Sequence, residues 1–138
     1  MRKLGIGAAT LALALVVLFA SASAAQAAKL VVFGEERGDG NESRNSIVFH
    51  EKLLSKDGEH VGRNRIEIFR SGRGEFSVRA LFRFKGGKIR VADELERNTT
   101  VVPITNGKGR YHGIEGRLRV GDEEDGLTKY TFRYSRPR

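Results

Sequence analysis

The chain has no cysteine, no tryptophan and only two prolines among its 138 residues. Without cysteine it cannot form disulfides, a thiol nucleophile or a cysteine-based zinc site. The histidines His50, His60 and His112 lie far apart in the sequence and lack the paired spacing typical of metal ligands. We therefore predict no metal and no cofactor, and a small domain stabilised by packing and by a well-paired sheet.

Residues 1–27 are predicted to be a cleavable signal peptide. Arg2 and Lys3 precede a nearly unbroken apolar run, and small residues follow it up to Ala25-Gln26-Ala27, a suitable cleavage site. A membrane anchor is the alternative, but the apolar run, 4–19, is shorter than the roughly 20 residues that a spanning helix needs. We expect a secreted or periplasmic protein with no transmembrane segment after cleavage.

The mature chain, 28–138, is expected to be a single domain of β-strands. Apolar and polar residues alternate with a period of two, and clusters of Gly, Asn and Asp interrupt the alternation about every ten residues. The predicted strands are 29–33, 47–54, 63–70, 76–84, 89–95, 99–105, 114–120 and 129–134. The pattern favours an all-β fold, an eight-stranded antiparallel β-barrel, with a two-sheet sandwich as the alternative. Segments 34–43 and 106–109 are predicted to be loops.

Basic residues outnumber acidic ones, with 25 Lys and Arg against 17 Asp and Glu. They alternate outward along the predicted strands and form no compact block. This pattern is typical of a solvated face without sequence-specific nucleic-acid recognition. An array of this kind also suits a second function, a non-catalytic envelope protein whose basic exterior binds an anionic polymer.

Three segments carry a resemblance to a known family. They are Phe49-His50-Glu51-Lys52-Leu53 followed by Val61-Gly62-Arg63, the hairpin 82–89, and the stretch 101–116 with its Gly-rich turn and Tyr111. Together they resemble the superfamily of plant dirigent proteins and allene oxide cyclases, and the Ala-rich leader fits a bacterial secreted member. The resemblance implies an eight-stranded antiparallel barrel with a hydrophobic cavity, often as a trimer. It also implies steering of phenoxy-radical coupling or cyclisation of an unstable epoxide.

Two acidic residues fall on apolar strand faces and are the candidate catalytic residues. Glu51 alternates with Phe49 and Leu53, and Asp93 alternates with Val91. A carboxylate in an apolar interior could act as a general acid or base on a polyene, enone or epoxide. The alternative is that each turns outward or pairs with an arginine. The candidate pocket residues are Phe49, Leu53, Phe76, Phe82, Val91, Tyr111 and Tyr130.

These observations predict a secreted barrel that binds a small hydrophobic molecule and directs its cyclisation or coupling. If the protein is an enzyme, we expect an isomerase of the allene oxide cyclase type. Tyr111 and Tyr130 could donate hydrogen bonds to a ligand, although aromatic residues on barrel strands also serve packing alone. The expected partners are the ligand and other copies of the chain, in a trimer or dimer.

Overall fold

The computed structural model describes residues 27–38, 40–70, 74–95 and 99–137. The predicted signal peptide lies outside them except for Ala27, so its cleavage stays a prediction. The strands of the described residues are β1 (Ala27–Glu36), β2 (Asn41–Glu42), β3 (Ser46–Leu54), β4 (His60–Arg70), β5 (Phe76–Phe84), β6 (Gly87–Leu95), β7 (Val101–Gly109), β8 (Glu115–Glu124) and β9 (Leu127–Ser135). In the described residues no helix is long and apolar enough to cross a membrane.

The strands form one antiparallel sheet that closes on itself. Its order is β1-β9-β8-β7-β6-β5-β4-β3-β2. A further pairing of β1 with β3, from Phe33–Leu54 to Glu36–Glu51, closes the ring of eight long strands. The two-residue strand β2 lies beside β3. The predicted eight-stranded antiparallel barrel is confirmed, and the alternative of a two-sheet sandwich is wrong.

Two segments predicted to be loops contain strand residues. Within 34–43, β1 continues to Glu36 and β2 occupies Asn41–Glu42. Segment 106–109 belongs to β7 and pairs with β6, with a bulge between the Arg90–Asn106 and Val91–Ile104 pairs. The chain turns only at 110–114, where a Cβ on Gly107 would lie 2.0 Å from the carbonyl oxygen of Tyr111. The glycine at position 107 therefore allows β7 to pass close to the backbone of the turn, and the turn itself comes after the Gly-rich segment.

The two ends of the barrel differ. At one end, here called the closed end, the turns 55–59, 85–86 and 110–114 surround packed aromatic rings. The ring centroids are 4.9 Å apart for Phe82 and Phe132, and 5.7 Å apart for Phe84 and Tyr111. The Phe82–Phe132 pair is edge-to-face and the Phe84–Tyr111 pair is tilted, and aromatic contacts at these distances are favourable. The interior therefore opens at the other end, here called the mouth.

Candidate ligand-binding site

A cavity of about 360 Å³ occupies the mouth half of the barrel. Ligand pockets typically measure about 300–1,000 Å³ and are mostly apolar. Its walls are mainly residues of the seven strands β3 to β9, including Phe49, Ile66, Val78, Val91, Val102, Leu118 and Tyr130. Glu36 and Thr99 line it at the mouth, and both are exposed. The cavity is therefore an apolar chamber with one polar opening.

Glu51 places a carboxyl group on the wall of this chamber. The residue is 4% exposed and lies opposite Asn64 in the β3–β4 pairing. Asn64 donates to Glu51 Oε1 at 2.9 Å, and its own Oδ1 accepts the backbone N–H of Glu51 at 3.0 Å. The hydroxyl of Tyr130, from β9, donates to the same Oε1. Strands from two sides of the barrel thus fix one carboxylate oxygen, and both donors act on Oε1.

Gly34 makes the space for this carboxyl group. It is buried in β1, where a Cβ would lie 2.6 Å from Glu51 Oε2 and 2.7 Å from Oε1. Real Cβ atoms do not approach other atoms so closely, so any larger residue would displace the carboxyl group or the strand. The glycine at this position is explained by the site and not by its backbone conformation.

The environment of Tyr130 keeps its hydroxyl protonated. Burial raises the pKa of Tyr130 well above its usual value near 10, and the negative charge of Glu51 and the hydrogen bond to it raise this pKa further. Both effects disfavour the phenolate, since it would be a second negative charge in a largely apolar chamber. Tyr130 is therefore a hydrogen-bond donor at neutral pH.

The raised pKa of Tyr130 predicts a loss of stability in alkali. The unfolded tyrosine ionises near pH 10 and the folded one does not, so its stabilising contribution is complete below pH 10 and decreases as the pH rises above it. The expected slope is about 1.4 kcal/mol per pH unit for this group. Urea unfolding between about pH 8 and 11 should give a shallower slope for Tyr130→Phe than for the unmodified protein. Equal slopes would contradict the raised pKa.

The structure brings part of the predicted site together. Phe49, Phe82, Val91 and Tyr130 line the chamber with Glu51. Leu53 is fully buried but does not line it. The catalytic and binding roles of these residues stay predictions.

Three other predicted site residues lie elsewhere. Tyr111 is buried at the closed end, with its ring against Phe84. Phe76 is half-buried beside Arg70 in a small surface depression near the mouth. Asp93 is exposed, and its Oδ1 accepts the backbone N–H of Glu94 at 2.8 Å. Asp93 therefore takes the outward alternative, although Leu95, two residues further along β6, lines the chamber.

Asn64 and Gly34 were not identified from the sequence. The sequence did contain a sign of Asn64. It lies two residues before Ile66 and four before Ile68, so the two-residue period of a strand places this polar residue on their inward face. Gly34 gave none, since a glycine next to Glu35 and Glu36 is equally typical of a loop. No three His, Asp or Glu side chains of the described residues come together in a way that could hold a metal ion.

Solved structures with a similar fold are small-molecule enzymes by their names. Pyocyanin demethylase matches with a TM-score of 0.64 and 19% identity, over 78% of this chain and 99% of its own. AbnU, an exo-specific intermolecular Diels-Alderase, matches with a TM-score of 0.61 and 14% identity, over 80% and 98%. The Diels-Alderase AbmU from Streptomyces koyangensis matches with a TM-score of 0.60 and 15% identity, over 86% of this chain and 73% of its own. At these identities the likeness shows the fold, a barrel that also occurs in cyclases.

Neither the family models nor the curated proteins give a match to this sequence. The dirigent and allene oxide cyclase resemblance of the three segments therefore stays a prediction.

Proposed function

We propose that the protein binds a small, mainly apolar molecule in the chamber and directs its cyclisation. The observation that carries this proposal is the buried carboxyl group of Glu51 on the mainly apolar wall formed by the described residues. Both hydrogen bonds to the Glu51 side chain go to Oε1. A carboxylate oxygen has two lone pairs, so Oε2 keeps the capacity to accept a bond from a ligand.

The free capacity of Glu51 specifies the chemistry of the ligand. A bound phenol or enol could donate its O–H to Glu51, and its carbon skeleton would contact the apolar wall. As Glu51 accepts this proton, the electron pair of the O–H bond makes the conjugated system nucleophilic at carbon, and that carbon attacks an electron-poor C=C bond in the same molecule. A carbon–carbon σ bond forms as the π bond of the acceptor breaks, and the resulting carbanion takes the proton back from Glu51. The step is an isomerisation, so no oxidant or co-substrate is needed. General-base assistance of this type contributes roughly 10²–10⁴-fold to a rate.

Two lines of similarity support the proposal. Similar barrels include Diels-Alderases and a cyclase described as nonspecifically heme-binding, which has a TM-score of 0.60 and 14% identity. The three sequence segments favour the dirigent and allene oxide cyclase superfamily, whose members would use the same interior. Pyocyanin and haem, taken from the names of the similar structures, are reasonable first ligands to screen.

A matched pair of compounds tests the role of Glu51. We expect 2-naphthol to bind at least about tenfold more tightly than 2-methylnaphthalene, since a hydrogen bond to a charged group contributes about 1.5–3 kcal/mol. Glu51→Gln should reduce this preference, because a neutral acceptor makes a bond about half as strong. Calorimetric titration of both compounds measures it.

Glu36→Gln is the matched control for that experiment. Glu36 lies opposite Glu51 in the β1–β3 pairing and lines the same chamber, but it is exposed at the mouth. The control should keep the preference for 2-naphthol. If neither compound binds the unmodified protein, the chamber is not a ligand site; if both bind equally, Glu51 is not the polar contact. A linear diene–dienophile substrate, followed by chromatography, then tests cyclisation directly.

We also propose that the chain is exported, with cleavage after Ala27. The apolar leader and the small residues before Ala28 support this proposal. The intact mass of protein recovered from the periplasm or medium should correspond to residues 28–138. Recovery of the uncleaved chain from the membrane fraction would favour the anchor.

A further inference from the structure

The outer surface of the barrel carries a continuous row of cations. Strand pairing sets Lys52 opposite Arg63, Arg63 opposite Arg83, Arg83 opposite Lys88, and Lys88 opposite Lys108. These five residues, here called the basic row, occupy one position on each of the strands β3 to β7. Arg63, Arg83 and Lys108 are exposed, and Lys52 and Lys88 are half-buried. The alternating pattern seen in the sequence is thus brought into a single line by the register.

Within the described residues, no ion pair neutralises the positive charges of the basic row. The ion pairs found within the described residues join Glu67 to Arg65 and to Arg79, and neither includes a member of the row. One acidic residue, Glu35, lies opposite Lys52 at the β1 end of the row. Like charges directly opposite one another on neighbouring strands are destabilising. An external anion would remove this cost.

We infer that the basic row binds a linear, flexible polyanion, an acidic polysaccharide with one carboxylate per sugar. Neighbouring strands lie about 4.8 Å apart, so the five positions repeat at that interval and span about 19 Å. This repeat is close to the length by which a linear sugar chain advances per residue. Successive carboxylates can therefore meet successive cations.

The curvature of the barrel favours a flexible chain over other polyanions. The row crosses five of the eight long strands and follows the convex surface round about half of the barrel. A flat lipid surface can touch only part of such a row. Duplex DNA is too stiff to follow it, since its persistence length is about 50 nm. A single polymer chain can bend along the whole row.

A shallow groove beside the row supplies room for sugar rings. It measures about 520 Å³, and Arg63, Arg83 and Lys88 contribute to its lining. Gly62 and Gly87 also line it. Single-stranded nucleic acids are usually held by aromatic side chains on which bases stack. Phe84 also lines the groove, but it is half-buried and its ring packs against those of Tyr111 and Phe132. The outward neighbours of the row on β4 and β6, Arg65 and Arg90, are cations.

The test compares two variants that each lose four cations. The row variant carries Arg63→Gln, Arg83→Gln, Lys88→Gln and Lys108→Gln. The control variant carries Arg37→Gln, Arg44→Gln, Arg70→Gln and Lys129→Gln, all of which change exposed residues outside the row. The probes are oligouronates prepared from alginate, single-stranded poly(dT), duplex DNA, and vesicles containing phosphatidylglycerol. Binding is measured at about 50 and 300 mM salt, because attraction between exposed charges is screened over this range.

We expect the unmodified protein to bind oligouronate at low salt and to release it at high salt. The row variant should bind it roughly tenfold to a hundredfold more weakly, because it loses four of the five cations of the row. The control variant should change by no more than about threefold, since only long-range attraction is lost. Equal losses in both variants, or no binding by the unmodified protein, would overturn the proposal. Tighter binding of poly(dT), duplex DNA or vesicles than of oligouronate would overturn the choice of polysaccharide.

A stability measurement accompanies the binding test and does not need a ligand. Removal of the like-charge pairs should raise the melting temperature of the row variant above that of the control variant at low salt. A row variant that melts lower than both other proteins would show that these side chains contribute to packing. The chamber residues are unchanged in both variants, so 2-naphthol binding should be the same in each.

Discussion

Phe82→Ala is expected to lower the free energy of unfolding by about 3–5 kcal/mol, the usual cost of removing a fully buried phenylalanine ring. Phe82 has no exposed surface, and the centroid of its ring lies 5.1 Å from the ring centroid of Tyr130 and 4.9 Å from that of Phe132. It also lines the chamber. The substitution therefore removes packing between the chamber and the closed end. Urea denaturation followed by fluorescence or circular dichroism measures the loss.

Phe69→Ala is the control for this prediction. Phe69 is half-buried on β4, and Arg79 lies over its ring at 5.0 Å. Removal of the Phe69 ring should lower the free energy of unfolding clearly less than removal of the Phe82 ring, because less apolar surface is buried at Phe69. Because domains of this size are stable by only about 5–15 kcal/mol, Phe82→Ala could leave little folded protein, and Phe82→Leu then provides the measurable variant. Equal effects at positions 69 and 82 would argue against the described core.

Asn64→Leu is expected to destabilise the protein by about 2–4 kcal/mol, although leucine has a similar size. The substitution leaves the backbone N–H of Glu51 without its acceptor and removes one donor from Oε1. Each buried polar group that loses its partner costs about 1–3 kcal/mol. The affinity for 2-naphthol should fall as well, since the carboxyl group is then positioned by Tyr130 alone.

The matched control is Asn106→Leu on β7. Asn106 is exposed and lies opposite Arg90, away from the chamber. We expect a change of less than about 0.5 kcal/mol, as for most surface substitutions. If Asn64→Leu is as mild as the control, Asn64 does not hold Glu51.

The sequence predicted the barrel because its strands alternate strictly over the central residues. In β5, Phe82 and Ala80 face the interior as the pattern requires, while Arg79 and Arg83 are exposed. Alternation also placed Glu51 inside. These predictions depend only on the two-residue period of a strand, which holds wherever one face is buried.

The errors concern the position of a residue along the barrel axis. The two-residue period of a strand shows which side chains face inward but not how close each one lies to the mouth or to the closed end. Asp93 and Tyr111 were assigned to the same interior, yet one is exposed at the mouth and the other is packed into the closed end. Height depends on the stagger between neighbouring strands, and turns and bulges such as the one after Arg90 set that stagger. The basic row was missed for the same reason, because a line of residues across five strands exists only once the register is known.

The aromatic packing at the closed end has a kinetic consequence. In the described residues the chamber lies on the mouth side of Phe82 and Phe132, with Glu36 and Thr99 at its opening. If the protein catalyses the proposed cyclisation, its product must therefore leave by the path along which the substrate arrived. An isomerisation leaves the number of atoms unchanged, so the product fills the chamber about as well as the substrate did. Product inhibition should be competitive, and release of the product should limit turnover once the ring has closed.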